Sequence, residues 1–171
     1  MATRSTISII NNDNTITSVY CHWDGYIAYN GKLLLLFYNN EAQVRALLEM
    51  GNISILDKTI NKPEDIINSG DKNGFTIFYG RDRCEKNTES ITFKNLADFK
   101  QHFEEYNYVF YKNKWHLYDQ KSDQLKDLIE VIKTEYPEVL MDIKDFIESQ
   151  DNYKIIDKEI NNPLKNNWNK L

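Results

Sequence analysis

An α+β fold follows from three features of the sequence. β-branched runs are separated by short polar turns, apolar residues recur at helical spacing between them, and no regular strand–helix–strand rhythm links the two. The expected architecture is one mainly antiparallel sheet built from two hairpins, with helices packed on one face and an all-helical C-terminal third. The 171 residues, 41% of them apolar, are enough for a single core. Residues 1–150 therefore read as one α+β domain with a helical extension from about residue 120, and residues 151–171 as a partly mobile tail.

Residues 3–10 and 15–23 are β-branched runs around Asn11-Asn12-Asp13-Asn14, which is a hairpin signal. Alternation places Ile7, Ile9, Val19, Cys21 and Trp23 inward. It places Arg4, Thr6, Ser8, Ser18, Tyr20 and His22 on a polar strip facing solvent. Asn30 is positioned to cap a short buried helix over 33–38, and Asn40 to cap a second over 41–50 that stops at Gly51. Residues 52–73 carry a weaker signal: Ile53, Ile55 and Leu56 are apolar, while Lys62-Pro63-Glu64-Asp65 and Asn68-Ser69-Gly70 read as loop with at most one helical turn. A strand over 75–79 ends at Gly80, and a short one follows over 90–93. The spacing of Leu96, Phe99, Phe103 and Tyr106 predicts a helix from Asn95 to Tyr106. Strands over 108–111 and 115–118, joined by Lys112-Asn113-Lys114, form a second, aromatic hairpin. Ser122 then opens a helix through Leu125, Leu128, Ile129, Ile132 and Tyr136. Pro137 starts another whose apolar face is Val139, Leu140, Ile143, Phe146 and Ile147. Residues 153–156 are strand-like.

Formal net charge is −5, and residues 117–171 hold 12 acidic against 8 basic side chains. That balance suits a basic or apolar partner and is poorly matched to a nucleic-acid backbone. Cys21 and Cys84 have neither the number nor the spacing of a disulfide framework, so both read as reduced thiols. The polar N-terminus carries no secretory signal, and the longest apolar run, 33–37, is too short to cross a bilayer. The expectation is a soluble chain of the cytoplasm.

Tyr20-Cys21-His22-Trp23-Asp24-Gly25-Tyr26 is the stretch richest in chemically capable groups. Positions i and i+2 of a strand share a face, so His22 and Asp24 would meet as an acid–base pair beside Tyr20, or simply as a structural cluster at a strand end. A metal site would need further ligands at readable spacing, and His102 and His116 sit in other elements. Arg4, Arg81 and Arg83, together with Thr6, Tyr20, His22 and Asp24, would suit a phosphate or nucleotide. Ordinary ion pairing with Asp24, Asp82 or Glu85 is the alternative for those arginines. Cys21 points inward, where thiols are inert, and no GxSxG, HExxH, Walker or GxGxxG pattern occurs. No catalytic residue, metal or cofactor is assigned. Tyr108, Phe110, Trp115 and Tyr118 of the aromatic hairpin are either core or anchors for a protein partner. Glu138, Asp142 and Asp145 would offer such a partner negative charge.

Ala2-Thr3-Arg4-Ser5-Thr6-Ile7, the stretch Tyr20–Tyr26, Gly31-Lys32-Leu33-Leu34, Tyr38-Asn39, Ala46-Leu47-Leu48 leading to Gly51, and Tyr79-Gly80-Arg81-Asp82-Arg83 resemble a family of small accessory proteins encoded by tailed bacteriophages. The similarity spans roughly residues 2–83 and brings no established reaction with it. It implies a setting: expression in the cytoplasm of an infected bacterium. The functional expectation is a non-enzymatic accessory protein that binds and inhibits a host factor of antiviral defence, a host protein with a basic surface. One alternative is a sponge for a nucleotide signal at Arg4, Thr6, Tyr20, His22, Arg81 and Arg83. Another is a phosphodiester-cleaving enzyme with His22 as general base.

Overall fold

The computed structural model describes residues 2–64, 66 and 74–154. Ser5–Ile10 (β1) and Ile16–Cys21 (β2) form the expected hairpin, in register from Ser5↔Cys21 to Ile10↔Ile16. Asn14 turns the chain at φ 65, and the Asp13 carboxylate accepts from the Thr15 N–H and hydroxyl. Ile53–Ile55 (β3) runs parallel to β2 at Cys21↔Ile53, and Ile77–Phe78 (β4) runs antiparallel to β3. Ile91–Phe93 (β5) pairs with the first half of β2. The second hairpin is Tyr106–Tyr111 (β6) and Lys114–Asp119 (β7), followed by antiparallel Gln124–Asp127 (β8). The hairpins are joined by parallel pairing of β1 with β6. The sheet runs β4-β3-β2-β1-β6-β7-β8, with β5 beside β2. It is mixed, and its two parallel contacts join residues too far apart for turn signals to reveal.

The helices are Lys32–Phe37 (α1), Glu41–Glu49 (α2), Tyr79–Arg83 (α3), Leu96–Lys100 (α4), Leu128–Glu135 (α5) and Pro137–Lys154 (α6). Leu34, Leu47, Leu128, Ile132 and Ile143, from α1, α2, α5 and α6, pack against Ile7, Ile9, Val19, Tyr108 and Phe110 on one face of the sheet. Asn40 caps α2 by accepting from the Gln43 N–H, and Gly51 ends that segment at φ 83, as the sequence indicates. Asn30 is not the cap of α1. A single π turn, Ile27–Gly31, precedes that helix, and the buried Asn30 amide instead donates to the Ser5 hydroxyl, the Cys21 thiol and the Trp23 carbonyl.

Several expectations are corrected where sheet pairing overrides local periodicity. The helix expected from Asn95 to Tyr106 stops at Lys100, because the Tyr106 N–H bonds to the Arg4 carbonyl and starts β6. The helix expected from Ser122 begins at Leu128, since residues 124–127 pair with β7. Asp127 caps α5 by accepting from the Ile129 and Glu130 N–H groups. The C-terminal third is therefore not all helical. The strand expected over 75–79 shortens to β4, and Tyr79 opens α3. Ile53 and Ile55, apolar in sequence but assigned to no element, form β3. Tyr153 and Lys154 continue α6, while residues 155–171, with the rest of the expected tail, and the turn at 68–70 lie outside the described residues.

Both faces of β1 are covered. Phe93, Leu96, Phe99 and Phe103 pack on Ile10, Ile16, Val109 and Tyr118, forming a second small core opposite the helices. The strip expected to face solvent is thus closed over along its middle. Ser8 and Ser18 bond to each other at 2.8 Å, and Thr6 donates to Asn107 Oδ1 at 2.9 Å. The aromatic hairpin is also corrected as a partner surface. Tyr108, Phe110, Trp115 and Tyr118 are 0%, 2%, 3% and 4% exposed, and Trp115 Nε1 donates to the Tyr38 carbonyl at 2.7 Å. Among the described residues no helix is long and apolar enough to cross a membrane.

His116 sits on β7 opposite Val109 and Asp127 and is 1% exposed. Burial pushes its pKa below the ordinary 6.5, with the Asp127 carboxylate working against that shift. Below pH 6.5 the unfolded chain takes up a proton that the folded chain resists, so stability falls as the pH drops through that window. We expect the urea midpoint of the protein to fall between about pH 7.5 and 5.5, and His116→Phe to reduce the fall. An unchanged pH slope in that variant would show that His116 is not its source.

Candidate functional site

The register brings five strand ends to one end of the sheet. Ser5 lies opposite both Cys21 and Tyr106, Cys21 opposite Ile53, and Ile53 opposite Phe78. Arg4 before β1, His22 after β2, Asn52 before β3, Tyr79 after β4 and Glu104 ahead of β6 therefore share that end. Gly25 holds the loop after β2 against the start of β1, donating its N–H to the Thr3 carbonyl at 2.8 Å. A Cβ at this position would stand 2.7 Å from the Arg4 carbonyl carbon and oxygen, so the close approach requires glycine.

His22 is the centre of the cluster. Its Nδ1 lies 2.6 Å from the Tyr20 hydroxyl. Its ring meets Tyr20, Trp23 and Tyr79 edge-on, at centroid distances of 5.9, 4.7 and 6.5 Å. With the phenol donating, Nδ1 accepts and the neutral ring carries its proton on Nε2, away from Tyr20. Burial raises the Tyr20 pKa, while the Arg4 guanidinium beside the hydroxyl works against that shift. Burial likewise raises the Tyr79 pKa, opposed by the Ser54 hydroxyl and by Arg83, whose guanidinium lies 5.9 Å from the Tyr79 ring centre. Trp23, 41% exposed, Arg4 and Arg83 form the open surface of this platform. Tyr20 also lines a groove of about 300 Å³, together with Thr6, Asn52, Phe93, Gln101 and His102 among others.

No protein family, curated protein or solved structure matches this chain. The site is read from its own chemistry.

The structure brings Arg4, Tyr20, His22 and Arg83 to this end of the sheet and sets other expected residues apart. Arg81 is not available to an anion. Its guanidinium donates to the Ile60 carbonyl at 2.5 Å, the Thr76 carbonyl at 2.7 Å and the Asp82 carboxylate at 2.8 Å, and it stacks over Phe78. Thr6 lines the inner groove but spends its hydroxyl on Asn107. Asp24 stands in the left-handed backbone region at φ 56. It lies near the Tyr26 and Tyr29 phenols; burial raises both pKa values, with Asp24 adding to the shift at Tyr26, and Asp57 and then Asp24 adding to that of Tyr29, which reaches about 12. Among the described residues no hydrogen bond joins Asp24 to His22. The Cys21 thiol is fully buried and pushed up to about 11, so it is protonated at neutral pH.

Trp23, Tyr79 and Asn52 were missed as site residues. Trp23 was placed inward by extending the alternation of β2, but that strand ends at Cys21. Tyr79 was absorbed into a strand, although the arginines and aspartate that follow it are a polar helical turn. Asn52 bonds the Tyr20 N–H through Oδ1 at 2.9 Å, a contact with no local sequence signal. Among the described residues no group of three or more His, Cys, Asp or Glu side chains is arranged to hold a metal ion. Glu138, Asp142 and Asp145 are exposed on α6, remote in sequence from this cluster, with Asp142 bonded to Lys32 at 2.8 Å.

Proposed function

We propose that this chain is a non-enzymatic binding protein that sequesters a small anionic ring compound, of the nucleotide class, on the platform of Arg4, Tyr20, His22, Trp23, Tyr79 and Arg83. The observation that carries the reading is the pairing of one exposed indole, Trp23, and three half-buried rings with two guanidiniums that form no ion pair among the described residues. Rings supply stacking faces for a base, and guanidiniums supply forked donors for phosphate. An accessory role in an infected bacterium is part of the proposal and rests only on the resemblance of the motifs within residues 2–83 to phage proteins. Hydrolysis by His22 draws less support, because Asp24 does not orient the imidazole.

Isothermal titration with adenosine and guanosine monophosphates tests the reading. Binding is expected, weakened about tenfold or more by Arg4→Ala or by Arg83→Ala, since a hydrogen bond to a charged group contributes about 1.5–3 kcal/mol. Trp23→Ala removes a stacking face and is expected to cost about 1–3 kcal/mol of binding. No heat of binding at millimolar nucleotide would end the proposal.

A second reading, inhibition of a host protein with a basic surface, is favoured by α6. There Met141 is 86% exposed beside Asp142, with Glu138 and Asp145 nearby in sequence. Reversing Glu138 and Asp145 to lysine is expected to abolish inhibition in infected cells only if this face is the working surface.

A further inference from the structure

We infer that the groove beside Tyr20 is a second ring-binding subsite, so that the preferred ligand is two-ended: a dinucleotide with its phosphates at Arg4 and one base on each side of Tyr20. The inference rests on the nucleotide reading of the platform and extends it. Tyr20 belongs to both surfaces. Its hydroxyl bonds His22 on the platform, and the same residue lines the groove.

The groove has the size and lining for one base and its sugar. At about 300 Å³ it lies at the small end of sites for organic ligands. Phe93 and Phe103 supply apolar wall, and the His102 ring packs on Phe93 at 4.7 Å. The hydroxyls of Thr6 and Ser18 in its lining are bonded to Asn107 and Ser8. The groups left to read a ligand are the Gln101 amide, the His102 ring nitrogens, the Asn52 Nδ2 and the Glu104 carboxylate, none of which has a side-chain hydrogen bond of its own among the described residues. An amide matches the mixed donor and acceptor edge of a base. A carboxylate accepts from an exocyclic amine or a ribose hydroxyl.

Charge decides which half of the ligand enters. Glu104 lines the groove, and its negative charge disfavours phosphate there, whereas Arg4 stands at the Tyr20 hydroxyl. The uncharged half is therefore drawn past Tyr20 and the phosphates remain with the guanidinium. The exposed Trp23 ring and the half-buried Tyr79 ring then face the second base, with Arg83 against Tyr79.

Titrations with the linear dinucleotides pApA and pGpG, against AMP and GMP, separate the two proposals. One dinucleotide is expected to bind about tenfold or more tightly than its mononucleotide, because the second contact is intramolecular once the first is made. Gln101 and His102 are exposed, so Gln101→Leu with His102→Leu leaves the core intact. That pair is expected to erase the dinucleotide's advantage and leave mononucleotide binding unchanged. Equal affinity for mono- and dinucleotides, or an advantage that survives the double variant, overturns the groove while leaving the platform in place. Binding of none of the four overturns both.

Discussion

Tyr108→Ala is expected to cost about 3–5 kcal/mol of folding free energy, the range for deleting a buried aromatic side chain. The residue is wholly buried on β6, its ring lies 6.4 Å from Tyr106 with the planes 11° apart, and its hydroxyl donates to the Gly25 carbonyl at 2.8 Å. That last bond fastens the Tyr20–Tyr26 loop from below, while the Gly25 N–H fastens it to Thr3. Tyr108→Phe keeps the ring and leaves the Gly25 carbonyl without this partner, at about 1–3 kcal/mol. Urea denaturation checks the ranking. A partner-binding anchor would behave in the opposite way, with near-normal stability and lost association. A loss below about 1 kcal/mol in the alanine variant would refute the core assignment.

Arg81→Gln is expected to cost about 3 kcal/mol, the lower end of what breaking a buried ion pair costs, because the Arg81 side chain is 26% exposed. The Asp82 side chain is fully buried. It accepts from the Phe78 N–H at 2.9 Å, and Lys62 lies 3.5 Å away. Its pKa is lowered overall. Burial raises it, and the combined bonds from Arg81 and Phe78 and the charge of Lys62 outweigh that. Removing the guanidinium leaves a buried carboxylate short of its main partner and frees two carbonyls, those of Ile60 and Thr76. Chemical denaturation near neutral pH measures the loss, and Arg83→Gln serves as the exposed control. If both substitutions cost the same, Arg81 is not the structural tie that its bonds indicate.

The two arginines show where sequence reading ends. Arg81 and Arg83 have the same spacing from Tyr79 as any i+2 and i+4 pair, and nothing local separates the staple from the surface cation. Their difference comes from Ile60, Thr76 and Asp82, which the turn of α3 places around one guanidinium and not the other. The first hairpin, the cap at Asn40 and the stop at Gly51 were legible because each depends on neighbours a few residues away. Tyr106 and Leu125 were misread for the converse reason. Their helical spacing is real, but β1 and β7 offered them a ladder. The polar strip was legible as an alternation and wrong as a surface, since parity assigns a face and cannot say what covers it.

The pairing of β1 with β6 has a consequence for how the molecule is made. Thr6 and Asn107, bonded across that seam, are 101 residues apart. A ribosome adding about 5–20 residues per second needs roughly 5–20 s to supply the missing neighbour. During that interval β1 leaves the exit tunnel with an unsatisfied ladder of amides and carbonyls along one side, the kind of edge that recruits stray strands. The closing contact joins residues 101 apart, so the hairpin at its beginning is committed early but gains its β6 neighbour late.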